Sequence, residues 1–138
     1  MRAPCSYDYA IIRVVPRVER EEFINAGVIV SCPALDYLGA RIELNESRLL
    51  ALDPSIDLDV VRENLASIPA ICAGGTGSGP IGRLAPRERF HWLVAPRSTM
   101  IQTSPVHTGR CDDPARVLEQ LVQKMVRHPH PRGRGTSP

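Results

Sequence analysis

Residues 7–15, Tyr-Asp-Tyr-Ala-Ile-Ile-Arg-Val-Val, constrain the fold more than any other stretch of this chain. Tyr9, Ile11, Val14 and Val15 are strand formers, and Pro16 stops the run because it has no N–H to give a ladder. Both faces of the strand are largely apolar, which places it in the centre of a sheet. Arg13 is the exception inside it. Either its stem packs while its head reaches the sheet edge, or its guanidinium is aimed at a ligand.

The rest of the chain supplies partners for that strand. Residues 17–25 form a charged connector, and Asn25-Ala26-Gly27 has the chemistry of a tight turn or β-bulge ahead of a second strand at 28–32. Residues 37–44 alternate: Leu38, Ala40, Ile42 and Leu44 face one way, and Gly39, Arg41 and Glu43 the other. Asn45 can cap a short helical turn over 46–52, closed by Asp53-Pro54. Asp57 opens a firmer helix with Leu58, Val61, Leu65 and Ile68 on one side, ended or kinked at Pro69. Glycine-rich residues 73–82 read as a mobile loop, and residues 87–95 and 99–106 as the last strand pair. Asp113-Pro114 starts a closing helix whose apolar face is Val117, Leu118, Leu121, Val122 and Met125.

These elements predict one α+β domain over residues 1–127: a mostly antiparallel sheet of about five strands, with two main helices packed on one face. Residues 128–138, including His128 and His130 among prolines and arginines, hold no apolar side chain to bury and are expected to be a disordered tail.

Charge narrows the function classes. Seventeen Lys and Arg against fifteen Asp and Glu leave a net +2, too close to neutral for a nucleic-acid surface. Aromatic residues, at 4%, give few stacking platforms for bases. No apolar run approaches the ~18 residues of a membrane span, and the first residues lack a signal core. Cys5, Cys32, Cys72 and Cys111 are too widely spaced for a zinc knuckle or a Cys-x-x-Cys redox pair. A cytoplasmic protein with reduced thiols is expected.

Motifs for cofactors fail on context. Gly77-Ser78-Gly79-Pro80-Ile81-Gly82 has the spacing of a dinucleotide loop, but a helix precedes it and Pro80 removes an amide donor. His91, His107 and Cys111 are metal-ligand types with no carboxylate positioned to complete a site. No cofactor and no metal is therefore expected, and no catalytic residue can be assigned. The informative polar set is Arg97, Ser98, Gln102, Ser104 and His107. Gln102 and Ser104 share a face of one strand, Arg97 and Ser98 sit in the turn before it, and His107 follows at the exit. An Arg fork beside hydroxyl, amide and imidazole groups suits a phosphate or carboxylate; a solvated edge strand with polar turns is the plainer account.

The segments Tyr9-Ala10-Ile11-Ile12-Arg13-Val14-Val15-Pro16, Glu22-Phe23-Ile24-Asn25-Ala26-Gly27-Val28-Ile29 and Pro96-Arg97-Ser98 through His107 together resemble the bacterial Domain of Unknown Function 3037 family, over about residues 7–127. The resemblance implies an uncharacterised cytoplasmic protein with no assigned activity. It also implies a neighbourhood of genes for HipA-like serine/threonine kinases, hence a partner or regulator role. Its blocks add Glu22 and Asn25 as candidates that would face Arg97 and His107 if the first and last strand pairs adjoin. Two functions follow: an accessory or regulatory module that binds a protein partner, or a small enzyme or sensor for a phosphorylated or carboxylated ligand. In the second, Arg97 clamps the anion, His107 is general acid or base, and Glu22 orients it.

Overall fold

A computed structural model describes residues 4–97 and 99–127. Strand β1 (Cys5–Val14) is the centre of the sheet, as its two apolar faces require. Along one edge it pairs antiparallel with β2 (Ile24–Cys32), and β2 pairs antiparallel with β3 (Tyr37–Ile42). Its other edge is shared: β5 (His107–Cys111) pairs with Cys5–Tyr9, and β4 (Ile101–Thr103) with Ile12–Val14. The sheet is thus five-stranded and antiparallel, and the domain is α+β.

Helix α1 (Glu46–Leu52) is capped by Asn45, whose side chain accepts from the Arg48 N–H at 3.1 Å. Helix α2 (Leu58–Ala73) is capped by Asp57 and continues through Pro69 to Ala73. Asp113 caps α4 (Pro114–Leu121), which runs on into a π-helical turn over Val122–Val126. The glycine-rich stretch forms short 3-10 turns at Thr76–Ser78 and Ile81–Arg83.

Two expectations are corrected. Residues 87–95 are not a strand: α3 (Pro86–Leu93) occupies most of that stretch, with Pro86 at its first turn and the Glu88 carboxylate accepting from the Ala85 N–H at 3.2 Å. The buried positions are Arg89, Phe90 and Leu93, which is helical spacing and not the period of two that a strand requires. The two main helices also lie on opposite faces, not on one. Ile12, Val14, Ile24 and Ile29 pack with Leu49, Val61, Leu65, Phe90 and Leu93 from α1–α3. Ile11, Val28 and Val30 pack with Leu118, Leu121, Val122 and Val126 from α4 and its π turn. A central strand that is apolar on both sides needs cover on both. The expected tail, with His128 and His130, lies outside the described residues.

Buried Arg89 fixes how α2 and α3 meet. Its guanidinium donates to Ile71 O at 2.7 Å and Cys72 O at 2.6 Å at the end of α2, and to Leu84 O at 2.9 Å just before α3.

Candidate functional site

One irregularity in the β1–β2 ladder builds the site. Ile12 pairs with Gly27, but Arg13 pairs with Asn25, so Ala26 is an extra residue on β2. Strand side chains alternate, and an extra residue reverses the alternation beyond it. Ala26 and Ile24 therefore join the α2-side core, and Asn25 turns to the α4 side with Arg13. Gly27 is needed at the bulge, since a Cβ there would lie 2.5 Å from Arg41 O. On the far side of β1, Gln102 of β4 pairs with Arg13. A polar row, Asn25–Arg13–Gln102, thus crosses three strands.

Arg13 is the unusual member. Its guanidinium lies 4.2 Å from the centre of the Phe23 ring, its Nε is buried without a hydrogen-bond partner, and no ion pair takes it among the described residues. Asn25 donates from Nδ2 to Met125 O at 2.9 Å, at the end of the π turn, while its buried Oδ1 has no donor. Gln102 donates to Thr99 O at 2.8 Å. The row opens into a hollow of about 410 Å³, lined by Arg13, Val15, Val18, Glu19, Glu21, Phe23, Arg97 and Gln102.

The residues singled out in the sequence divide accordingly. Arg97 and Gln102 line this hollow, whereas Asn25 does not and is only the strand partner of Arg13 on β2. Arg97 already donates to Leu93 O at 2.9 Å and Trp92 O at 2.7 Å and lies 4.4 Å from the Trp92 ring centre, so it also caps the end of α3. Arg97 and Gln102 form a ridge shared with a second hollow of about 310 Å³ beside Trp92, Ile68 and Met100.

The other candidates are placed elsewhere. Glu22 pairs with Arg20 at 2.7 Å, and that hydrogen bond holds its carboxyl below the ordinary range. Ser104 is buried in the sheet at the gap between β4 and β5, where its hydroxyl accepts from the Ile11 N–H at 2.8 Å and donates to Pro105 O at 2.9 Å. It does the work of a ladder carbonyl. His107 is exposed opposite Tyr9, with the rings 5.2 Å apart. Tyr9 is four residues from Arg13 on β1, roughly 13 Å along a strand. Ser98 lies outside the described residues.

Glu19, Glu21, Val18 and Phe23 escaped the sequence reading because they belong to a charged connector with no periodicity. The one signal available was Arg13 itself, a charge in an otherwise apolar strand. Among the described residues, no group of three or more His, Cys, Asp or Glu is arranged to hold a metal ion. No helix among them is long and apolar enough to cross a membrane.

A family model described as "Protein of unknown function (DUF3037)" matches residues 9–126. The chain belongs to that family. The match covers β1 through the π turn after α4, and so takes in Arg13, Asn25, Arg97 and Gln102. No curated protein and no solved structure matches the chain.

Proposed function

We propose that this DUF3037 protein is a non-catalytic accessory or regulatory module of the cytoplasm, and that it docks an acidic side chain of a protein partner on Arg13. The observation that carries this reading is Arg13 itself: it lines the hollow, takes no ion pair among the described residues, and has an Nε with no acceptor. Leaving a buried polar group unpaired costs about 1–3 kcal/mol, and folded proteins retain such costs mostly where function repays them. A carboxylate supplies the acceptor that a guanidinium fork takes in two parallel bonds. Phe23, 43% exposed, and Val18, 39% exposed, put apolar surface on the rim, as a partner-binding pocket requires.

The enzyme or sensor reading draws less support. Glu22 is committed to Arg20, His107 stands on Tyr9, and among the described residues no nucleophile–base pair lines the hollow. The first partner to test is the neighbour-encoded kinase that the family resemblance implies. Tagged protein expressed in its own host should retain that kinase, Arg13→Met should lose it, and His107→Ala should keep it. Equal retention by wild type and Arg13→Met would remove Arg13 from the interface, and a clean monomer without the kinase would remove the partner.

A further inference from the structure

We infer that the Arg13 hollow selects a charge-paired peptide motif, an acidic residue on Arg13 with a basic residue close by in the same segment against Glu19 and Glu21. This rests on the docking role of Arg13 argued above. Glu19 and Glu21 line the same hollow as Arg13. Neither carboxylate is in an ion pair among the described residues, although their neighbours are: Arg20 holds Glu22 at 2.7 Å, and Arg17 lies 3.9 Å from Asp53. Charges of opposite sign thus line one cavity with no ion pair between them among the described residues, although Arg20 lies close enough to Glu19 to feel its charge.

The short 3-10 turn Val18–Arg20 holds the acidic rim in place, and Glu21 ends it in the left-handed region (φ 56°), its N–H donating to Val18 O at 3.2 Å. With Arg97 and Arg13 on one side and Glu19 and Glu21 on the other, the lining charges cancel. A phosphate group would meet two carboxylates along with its guanidinium, whereas a single carboxylate with an adjoining cation meets only opposite charges. An extended peptide fits better than a free zwitterion of the same chemistry, because it also covers the exposed Phe23 and Val18 on the rim.

Calorimetric titration of the full chain separates the possibilities with three blocked peptides: Leu-Asp-Gly-Lys-Leu, Leu-Asp-Gly-Gln-Leu and Leu-Asn-Gly-Lys-Leu. The first should bind wild type about three- to fivefold tighter than the second, the advantage of an added partly exposed ion pair. The third should bind weakest. In Glu19→Gln/Glu21→Gln the advantage of the first peptide should vanish, and Arg13→Met should bind neither aspartate peptide. If wild type binds the Gln peptide as tightly as the Lys peptide, the charge-pair inference falls and the Arg13 docking reading stands. If neither aspartate peptide binds wild type, both fall. If free L-glutamine, a zwitterion, competes at the same concentration as the Lys peptide, the occupant is a small molecule and the peptide motif is wrong.

Discussion

Arg13→Met separates a side chain kept for binding from one kept for folding. In wild type the Nε–H of Arg13 is buried without an acceptor, and its guanidinium lies 4.2 Å from the centre of the Phe23 ring. The unsatisfied donor costs about 1–3 kcal/mol. The ring contact returns about 0.5–1 kcal/mol at a partly exposed site. Methionine keeps an unbranched apolar stem against Phe23 and removes the orphan donor, so the variant should be more stable by about 1 kcal/mol. For a domain of this size that is a rise of roughly 3–6 °C in Tm. Urea unfolding followed by far-UV circular dichroism should show a higher midpoint with an unchanged slope. A loss of more than about 1 kcal/mol would mean that the guanidinium holds the fold together, and the reasoning from its unsatisfied state would be refuted.

Arg89→Met should do the opposite: three carbonyls lose a charged donor at the join of α2 and α3, and unfolding should become easier by about 3 kcal/mol in the same assay. Gly27→Ala would set a Cβ 2.5 Å from Arg41 O and 3.0 Å from Ile12 Cδ1, so it should cost about 2–3 kcal/mol. Acid should weaken the anchoring of α4. Arg127 lies 2.7 Å from Glu43 and 3.1 Å from Glu119, and Arg41 bonds both acids. The Arg127 hydrogen bond holds the Glu43 carboxyl below its ordinary range, and the Arg41 hydrogen bond does the same for Glu119. Groups with lowered folded values contribute stability that is present above about pH 4.5 and lost as the pH falls through those values. The urea midpoint should therefore drop as the pH falls below about 4.5, and less steeply in Arg41→Met.

Capping chemistry was the most legible part of the fold. Asn45, Asp57 and Asp113 each begin the helix their side chains advertise, because an N-cap is a local contract between one side chain and the next two or three amides. The central strand was legible too, from its length and its two apolar faces. Helix α3 was not: eight residues with Phe, His and Trp carry no strong propensity, and its stability comes from Arg89, Phe90 and Leu93 packed against other elements. The opposite placement of α2 and α4 depends on which face each covers, which periodicity along one helix does not state.

The site was legible in pieces. Asn25 and Gln102 were singled out as polar residues, and they meet on either side of Arg13 only because the bulge at Ala26 turns Asn25 over. That reversal depends on pairing between strands, so no single segment carries it. Ser104 is a caution in the other direction. A serine in a polar strand looks like a ligand donor, yet its hydroxyl closes a break in the backbone ladder between β4 and β5.

The most direct test of the account reads the guanidinium itself. In protein labelled with ¹⁵N-arginine, the Nε–H resonance missing from the Arg13→Met spectrum identifies Arg13. Adding the blocked Leu-Asp-Gly-Lys-Leu peptide should move that resonance to a saturable limit and slow its exchange with water. A peptide that leaves it in place, or that shifts only resonances retained in the variant, would contradict the claim that Arg13 receives the acidic group.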